Sequence, residues 1–436
     1  MFISTLAKPH PWEPLLGTDQ SQAALASVKE IAGVLTAQLE GQRGFSERKP
    51  FLGEGDAGIA IFFAYWHASG FSAEQDLALK YLNRSTNALA EQPMEPSLFA
   101  GFAGIAWAAQ HISGLLASPG DLGEDILLAL ETYLNRSPWQ DDYDLINGLA
   151  GFGVYCLECS SFSTAAVRCL ELIVERLEEL VEHCDDGLRW FTAPDVLPAP
   201  QRTIYPHGYY NLGLAHGMPG IIALLGRIYC AGIAHKKARR LLEDTVDWLL
   251  RQQLSEAASS SFPAFLVPGS KPQTCRLAWC YGDAGVAAAL LVAARCTGME
   301  PLETAALNIA RRAAARDLQS CGVIDACFCH GSSGLAHIFN RIYHATREEV
   351  FARAAHFWIQ RTLQFRTPNT SAAGYSVMAA NPAGTMEFQQ KFGLIEGIAG
   401  IGLSLLAATS NIEPQWDRMF MVNIPAMIQP YPTDQP

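Results

Sequence analysis

Three stretches of the chain place a thiol or an imidazole just before a Gly-x-x-Gly turn. They are Trp279-Cys280-Tyr281-Gly282-Asp283-Ala284-Gly285, Cys329-His330-Gly331-Ser332-Ser333-Gly334 and Ala215-His216-Gly217-Met218-Pro219-Gly220. Cys280, Cys329 and His330 make a Cys₂His set. Three protein ligands leave a fourth tetrahedral position open, which distinguishes a catalytic zinc from a closed structural one. Thiolates favour Zn2+ over magnesium or calcium. Such a centre suits a further thiol, which loses its proton on coordination, so the implied chemistry is thiol alkylation at neutral pH. Taken singly, each of these residues reads as readily as an ordinary buried side chain; their equivalent placement before the turns favours the metal. Cys327 is a rival ligand. Cys329 is preferred because it abuts its glycine turn as Cys280 does, and Cys275 and Cys321 read as bystanders.

His216 has no neighbouring cysteine and reads as a general acid or base rather than a ligand; the competing reading is a satisfied structural histidine. Arg276, four residues before Cys280, brings a cation that could stabilise an oxyanion, although a single arginine is ordinarily solvated or paired. Asp144, four residues before Gly148, could orient an imidazole and raise its pKa, or cap a helix. Asp141 and Asp142 are close rivals with a more exposed look. Asp56 and Asp283, inside glycine turns, read as turn formers.

The elements that must position these residues form a repeat. Gly-x-x-Gly followed by an apolar run begins at Gly55, Gly101, Gly148, Gly217, Gly282, Gly331 and Gly397, with spacings of 46, 47, 69, 65, 49 and 66 residues. One copy means little; seven are a repeat. Runs such as Ile59-Ala60-Ile61-Phe62-Phe63 are apolar all round, as a helix buried on every side must be. Between them lie amphipathic stretches such as Lys236–Leu254, where Leu241, Leu242, Val246, Leu249 and Leu250 recur at helical spacing. The expectation is an all-α fold, an α/α toroid of seven inner and seven outer helices, forming one domain over 1–436. The turns would gather at one end and their side chains around one cavity. The three long spacings hold Leu188–Tyr210, Ser259–Gln273 and Arg366–Glu387, rich in Pro, Ser, Gly and Asn. They read as loops or short irregular strands over the cavity mouth.

Composition supports a large core: 436 residues, 49% hydrophobic and 17% charged. The net charge of −12 argues against nucleic-acid binding through phosphate neutralisation, and offers mild attraction to a basic peptide. No apolar run reaches the roughly 18–20 residues of a membrane span, and Met1–His10 lacks the features of a signal peptide. The 11 cysteines, odd in number, argue for a reducing cytosol rather than a disulfide framework. Cys156, Cys169, Cys230 and Cys296 read as buried small hydrophobes.

Together, the stretch Asn211-Leu212-Gly213-Leu214-Ala215-His216-Gly217-Met218-Pro219-Gly220-Ile221 and the motifs around Cys280 and Cys329 resemble the signatures of the lanthionine synthetase C-like family. The seven repeats extend that resemblance along essentially the whole chain, and Tyr281 is similar to the bacterial branch, the lantibiotic cyclases. The resemblance implies a zinc enzyme that adds peptide cysteine thiols to dehydroalanine or dehydrobutyrine, forming thioether rings. Residue by residue, it implies Cys280, Cys329 and His330 as zinc ligands, His216 as acid/base, and Arg276, Tyr281 and Asp144 as further active-site groups. The implied partners are a dehydrated lanthipeptide precursor, a lanthipeptide dehydratase and an exporter. The implied location is the cytoplasm, with partners holding the protein at the inner face of the membrane. A small insertion beside the toroid is also implied, without a position in this chain. Three other readings compete. A thiol- or glutathione-binding relative would keep the zinc without cyclase activity. A glycosidase would need a carboxylate pair from Asp56, Asp144, Asp283 or Glu396 and leaves the Cys₂His set unexplained. A zinc prenyltransferase would need a cationic diphosphate site, for which only Arg276 is at hand.

Overall fold

A computed structural model describes residues 11–41, 49–71, 76–117, 123–367, 372–381 and 384–427. Met1–His10 and the last nine residues lie outside the described residues, as do 368–371 and 382–383 of the third long spacing.

Each of the seven glycine turns opens a helix. These are α2 (Asp56–Ala68), α4 (Phe102–Leu116), α6 (Leu149–Cys159), α9 (Met218–Cys230), α11 (Asp283–Thr297), α14 (Ser332–Thr346) and α16 (Ile398–Thr409). They are buried along most of their length, as their all-round apolar sequences require. Each fully buried Leu, Ile or Phe adds about 1.5–3 kcal/mol relative to exposure. Seven amphipathic helices alternate with them: α1 (Thr18–Leu39), α3 (Asp76–Glu91), α5 (Gly123–Leu134), α7 (Thr164–Leu180), α10 (His235–Leu250), α12 (Glu300–Ala314) and α15 (Glu349–Gln364). In α10 the stripe Leu241, Leu242, Val246 and Leu249 is buried while Lys236, Arg240 and Asp247 are exposed. Two short helices, α8 (Ala199–Ile204) and α13 (Leu318–Cys321), complete the α-helical set among the described residues.

The chain packs as two compact units. The first comprises 124–322 and the residues from 417 onward. In it α6, α9 and α11 pack side by side, each covered by the outer helix that follows it. A four-stranded antiparallel sheet in the order β1 (Val181–Cys184), β2 (Gly187–Thr192), β3 (Tyr209–Asn211), β4 (Phe265–Leu266) lies against α10. The first two long spacings therefore carry short strands, the second of the two forms expected of them, together with α8. The signal was the alternation in β2, where Leu188, Trp190 and Thr192 face inward.

The second unit comprises 11–123 and 323–416. There α16 lies between α14 and α2, and α2 beside α4. The outer partner of α16 comes from the far end of the chain: α1 packs on it, and Trp12 Nε1 donates to Ala407 O at 2.8 Å. A hairpin of β5 (Val377–Ala380) and β6 (Met386–Gln389) occupies the third long spacing.

Within each unit, neighbouring turns are tied by backbone hydrogen bonds. Leu145 N–H donates to Ala215 O at 3.1 Å, and Ala215 N–H to Cys280 O at 3.3 Å. In the second unit Cys329 N–H donates to Ile395 O at 2.9 Å, Leu394 N–H to Gly53 O at 2.7 Å, and Gly53 N–H to Phe99 O at 2.8 Å. Glycine is required where these turns close. A Cβ on Gly217 would sit 2.2 Å from Asn211 O, and Gly282 adopts φ +113° with its Cβ position 2.1 Å from Arg276 O.

Candidate active site

In the first unit the turn before α9 presents His216, the turn before α6 presents Asp144, and the turn before α11 presents Tyr281. His216 Nδ1 and Asp144 Oδ2 are 2.6 Å apart. The second oxygen of Asp144 accepts the N–H groups of Asn147 at 2.7 Å and Gly148 at 3.1 Å. One carboxylate thus caps the turn and holds the imidazole, so both readings of Asp144 apply. Burial opposes the imidazolium. The Asp144 hydrogen bond and charge outweigh it, aided by Cys280 and Asp142, so the His216 pKa is raised. The Tyr281 ring stacks beside His216 with centroids 6.0 Å apart, and its hydroxyl oxygen accepts from Asn211 Nδ2 at 3.2 Å. Burial pushes the Tyr281 phenol up, keeping it protonated.

These groups line a cavity of about 80 Å3, walled by Thr192 of β2, Leu197, Gln201 of α8, and Tyr209 and Asn211 of β3. The first long spacing therefore does border the site. Asp142, read from sequence only as a rival, also lines this cavity. Its carboxyl is pushed up to about 7 by burial and the Asp144 charge, against the pull of His216. Arg276 is exposed, and the lining of the cavity does not include it.

Cys280 is buried two residues before Gly282 in the first unit. Cys329 and His330 are half-buried in the second. Sequence reasoning passed over Asp325, which is fully buried behind them. Its Oδ2 lies 3.5 Å from His330 Nε2 and accepts Met378 N–H at 3.1 Å, while Oδ1 accepts Cys327 N–H at 3.1 Å. Asp325, Cys327 and His330 have donor atoms within 4.8 Å of one another, so Cys327 stands as a rival ligand in space as well as in sequence. Burial pushes the Cys327 thiol well up. Glu54 and Glu396 precede the first and seventh turns as His330 precedes the sixth. Glu54 Oε1 accepts Glu396 N–H at 3.1 Å, and burial with the Glu396 charge raises Glu54 to about 7. The signal for both was in the repeat, at the position His216, Tyr281 and His330 share.

Two turn aspartates do other work than forming turns, because each is the first residue of its helix and its carboxylate is engaged elsewhere. Asp283 accepts Ser261 N–H at 2.7 Å and Phe262 N–H at 3.1 Å, anchoring the second long spacing. Asp56 pairs with Arg84 of α3 at 2.9 Å. Cys275 and Cys321 are buried, and burial with the neighbouring Cys280 pushes the Cys275 thiol up to about 12.

A family profile described as lanthionine synthetase C-like protein matches residues 46–421. The nisin biosynthesis protein NisC of Lactococcus lactis subsp. lactis is 25% identical over 266 residues, which is 56% of this chain and 61% of that protein. A solved structure of nisin cyclase superposes with a TM-score of 0.69 at 19% identity, covering 91% of this chain and 97% of that one. The all-α architecture of seven inner and seven outer helices is that α/α-toroid fold. The profile spans all seven glycine turns and every motif residue considered above, and the chain belongs to the lanthionine synthetase C-like family.

Proposed function

We propose that this chain is a zinc-dependent peptide cyclase. It adds cysteine thiols to dehydroalanine or dehydrobutyrine in a dehydrated lanthipeptide precursor, forming lanthionine and methyllanthionine. The observation that carries this reading is the Asp144–His216 pair, 2.6 Å apart beside Tyr281 in one cavity, within the stretch that the family profile matches. The proposed zinc ligands are Cys280, Cys329 and His330. Their donor chemistry fits: two thiols and one imidazole, with a fourth position for substrate. Bound zinc would supply a substrate thiolate at neutral pH.

The remaining steps belong to side chains of this chain. In the addition a C–S bond forms at the β-carbon, charge moves onto the amide oxygen, and the α-carbon takes a proton. His216 is the proton donor: Asp144 holds Nδ1–H, leaving Nε2 for the substrate, and the raised pKa keeps a proton available. Tyr281 accepts from Asn211 and keeps its own O–H for the substrate carbonyl. Arg276 is assigned to the developing oxyanion as an exposed cation. The working unit is a single domain, 1–436, acting with a dehydratase and an exporter at the cytoplasmic face of a membrane.

The test supplies the zinc-loaded protein with a dehydrated precursor and counts alkylatable thiols by mass spectrometry. Loss of thiols at unchanged peptide mass is expected. Cys280→Ala should lose zinc and ring formation, whereas His216→Ala should keep zinc and slow ring formation by about 10²–10⁴-fold. Bound zinc with every thiol persisting would overturn the cyclase reading in favour of a thiol-binding protein of the same family.

A further inference from the structure

The opposite end of α9 carries a second chemically distinct cavity. Its volume is about 270 Å3, and it lies between the ends of α6 and α9 and the segment after residue 417. Leu157 and Glu158 come from α6, Arg227 and Cys230 from α9, and Arg418 and Met421 from the C-terminal segment. The α9 helix has 13 residues, so Cys230 stands about 20 Å along it from His216.

Three observations converge on the Cys230 thiol. It is half-buried and opens onto the cavity, so it corrects the expectation of a packed small hydrophobe; it is the last residue of its helix. It also has a partner: Gly226, one turn earlier, lets α9 approach α11 so closely that a Cβ there would meet Ala293 Cα at 2.8 Å and Cys296 Cβ at 3.6 Å. Cys296 is fully buried, and its thiol hydrogen-bonds Cys230. That bond, joined by Arg227 and opposed by burial, lowers the Cys230 thiol to about 7, while Cys296 is driven well up and stays protonated. The walls, finally, carry two guanidinium groups against one carboxylate, Glu158. Arg227 is held by Asn423 Oδ1 at 2.9 Å and Arg418 by Glu158 at 3.3 Å, so both cations are fixed in place. The helix C-terminus works against a thiolate; Cys296 and Arg227 work for it. A partly exposed, electropositive setting is where reactive cysteines are found.

We propose that Cys230 is a thiol–disulfide exchange site for small disulfides that carry carboxylates. The Cys230 thiolate attacks one sulfur of the disulfide, the S–S bond breaks, and a mixed disulfide forms. The departing thiolate takes a proton from water, so Cys230 is oxidised as the released half is reduced. The arginines receive the carboxylates. Cys296 remains a hydrogen-bond donor.

The experiment treats zinc-loaded full-length protein at pH 7 with oxidised glutathione, and in parallel with cystamine, a cationic disulfide. Modified cysteines are located by peptide mass mapping over time. Cys184 is the internal control: it is also half-buried, but burial and the hydrogen bond with Asp186 push its thiol up. Cys230 should react at least about 10-fold faster than Cys184 and prefer the anionic disulfide. Cys296→Ala should move the pH midpoint of Cys230 alkylation upward from about 7. Equal rates at Cys230 and Cys184, or an alkylation midpoint unmoved by Cys296→Ala, overturn the exchange site. Equal labelling by the two disulfides overturns the acidic ligand. None of these readouts depends on ring formation, so they stand or fall separately from the cyclase reading.

Discussion

Asp144 divides its two oxygens between structure and chemistry, one on the amides of Asn147 and Gly148 and one on His216. Asp144→Asn keeps an oxygen for the amides and removes the charge. The folded-state pKa of His216 is raised. Its contribution to stability is therefore fully present below the ordinary imidazole value of about 6.5 and is lost as pH rises through the raised value. In Asp144→Asn that raise disappears. The falling limb of the ring-formation pH profile should move to lower pH, with the rate at neutral pH down at least about 10-fold. An unmoved limb would mean that the proton comes from elsewhere, with Asp142 next in line. His216, Asp144 and Tyr281 were legible in sequence because each sits at or near a recurring turn. Asp142 and Asp325 were not, since their importance arises from burial and from partners distant in the chain, such as Met378 N–H on Asp325.

At the scale of elements, the seven glycine turns were legible because glycine there answers a steric demand. Gly217→Ala would drive a methyl to 2.2 Å from the Asn211 carbonyl oxygen. Overpacking of this kind should lower stability by about 1–3 kcal/mol. Gly114→Ala makes the contrast. It lies exposed inside α4 with nothing within 4 Å of its Cβ position, so it should gain about 0.4–1 kcal/mol. Chemical denaturation of the two variants checks both signs. The strands of the first two long spacings were harder to see. They are only 2 to 6 residues long, and β3 and β4 are held by pairing with neighbours far along the chain, Tyr210 opposite Leu266 and Asn211 opposite Phe265.

For the whole molecule, the proposed zinc ligands Cys280, Cys329 and His330 come from two glycine turns that begin 49 residues apart. A metal bound only by the native state adds RT ln(1 + [Zn2+]/Kd), about 4 kcal/mol at 1,000 times Kd. Calorimetry should show a higher unfolding temperature with zinc than with a chelator, and no such difference for Cys280→Ala. An equal response in Cys280→Ala would remove that residue from the ligand set. Sequence periodicity alone showed why 436 residues need so few charges, since the inner helices are buried along most of their length.

Besides side-chain bonds such as that of Glu54 Oε1 with Glu396 N–H, the bonds that tie neighbouring turns together run from main chain to main chain. They ask nothing of the side chains just before each glycine, which are Glu54, Ala100, Asn147, His216, Tyr281, His330 and Glu396. The frame can therefore drift in chemistry without drifting in shape. The same turn can carry an acid, a base, a ligand or nothing at all at that position. A descendant with a different reaction would need new letters at a few of these seven places and no new architecture.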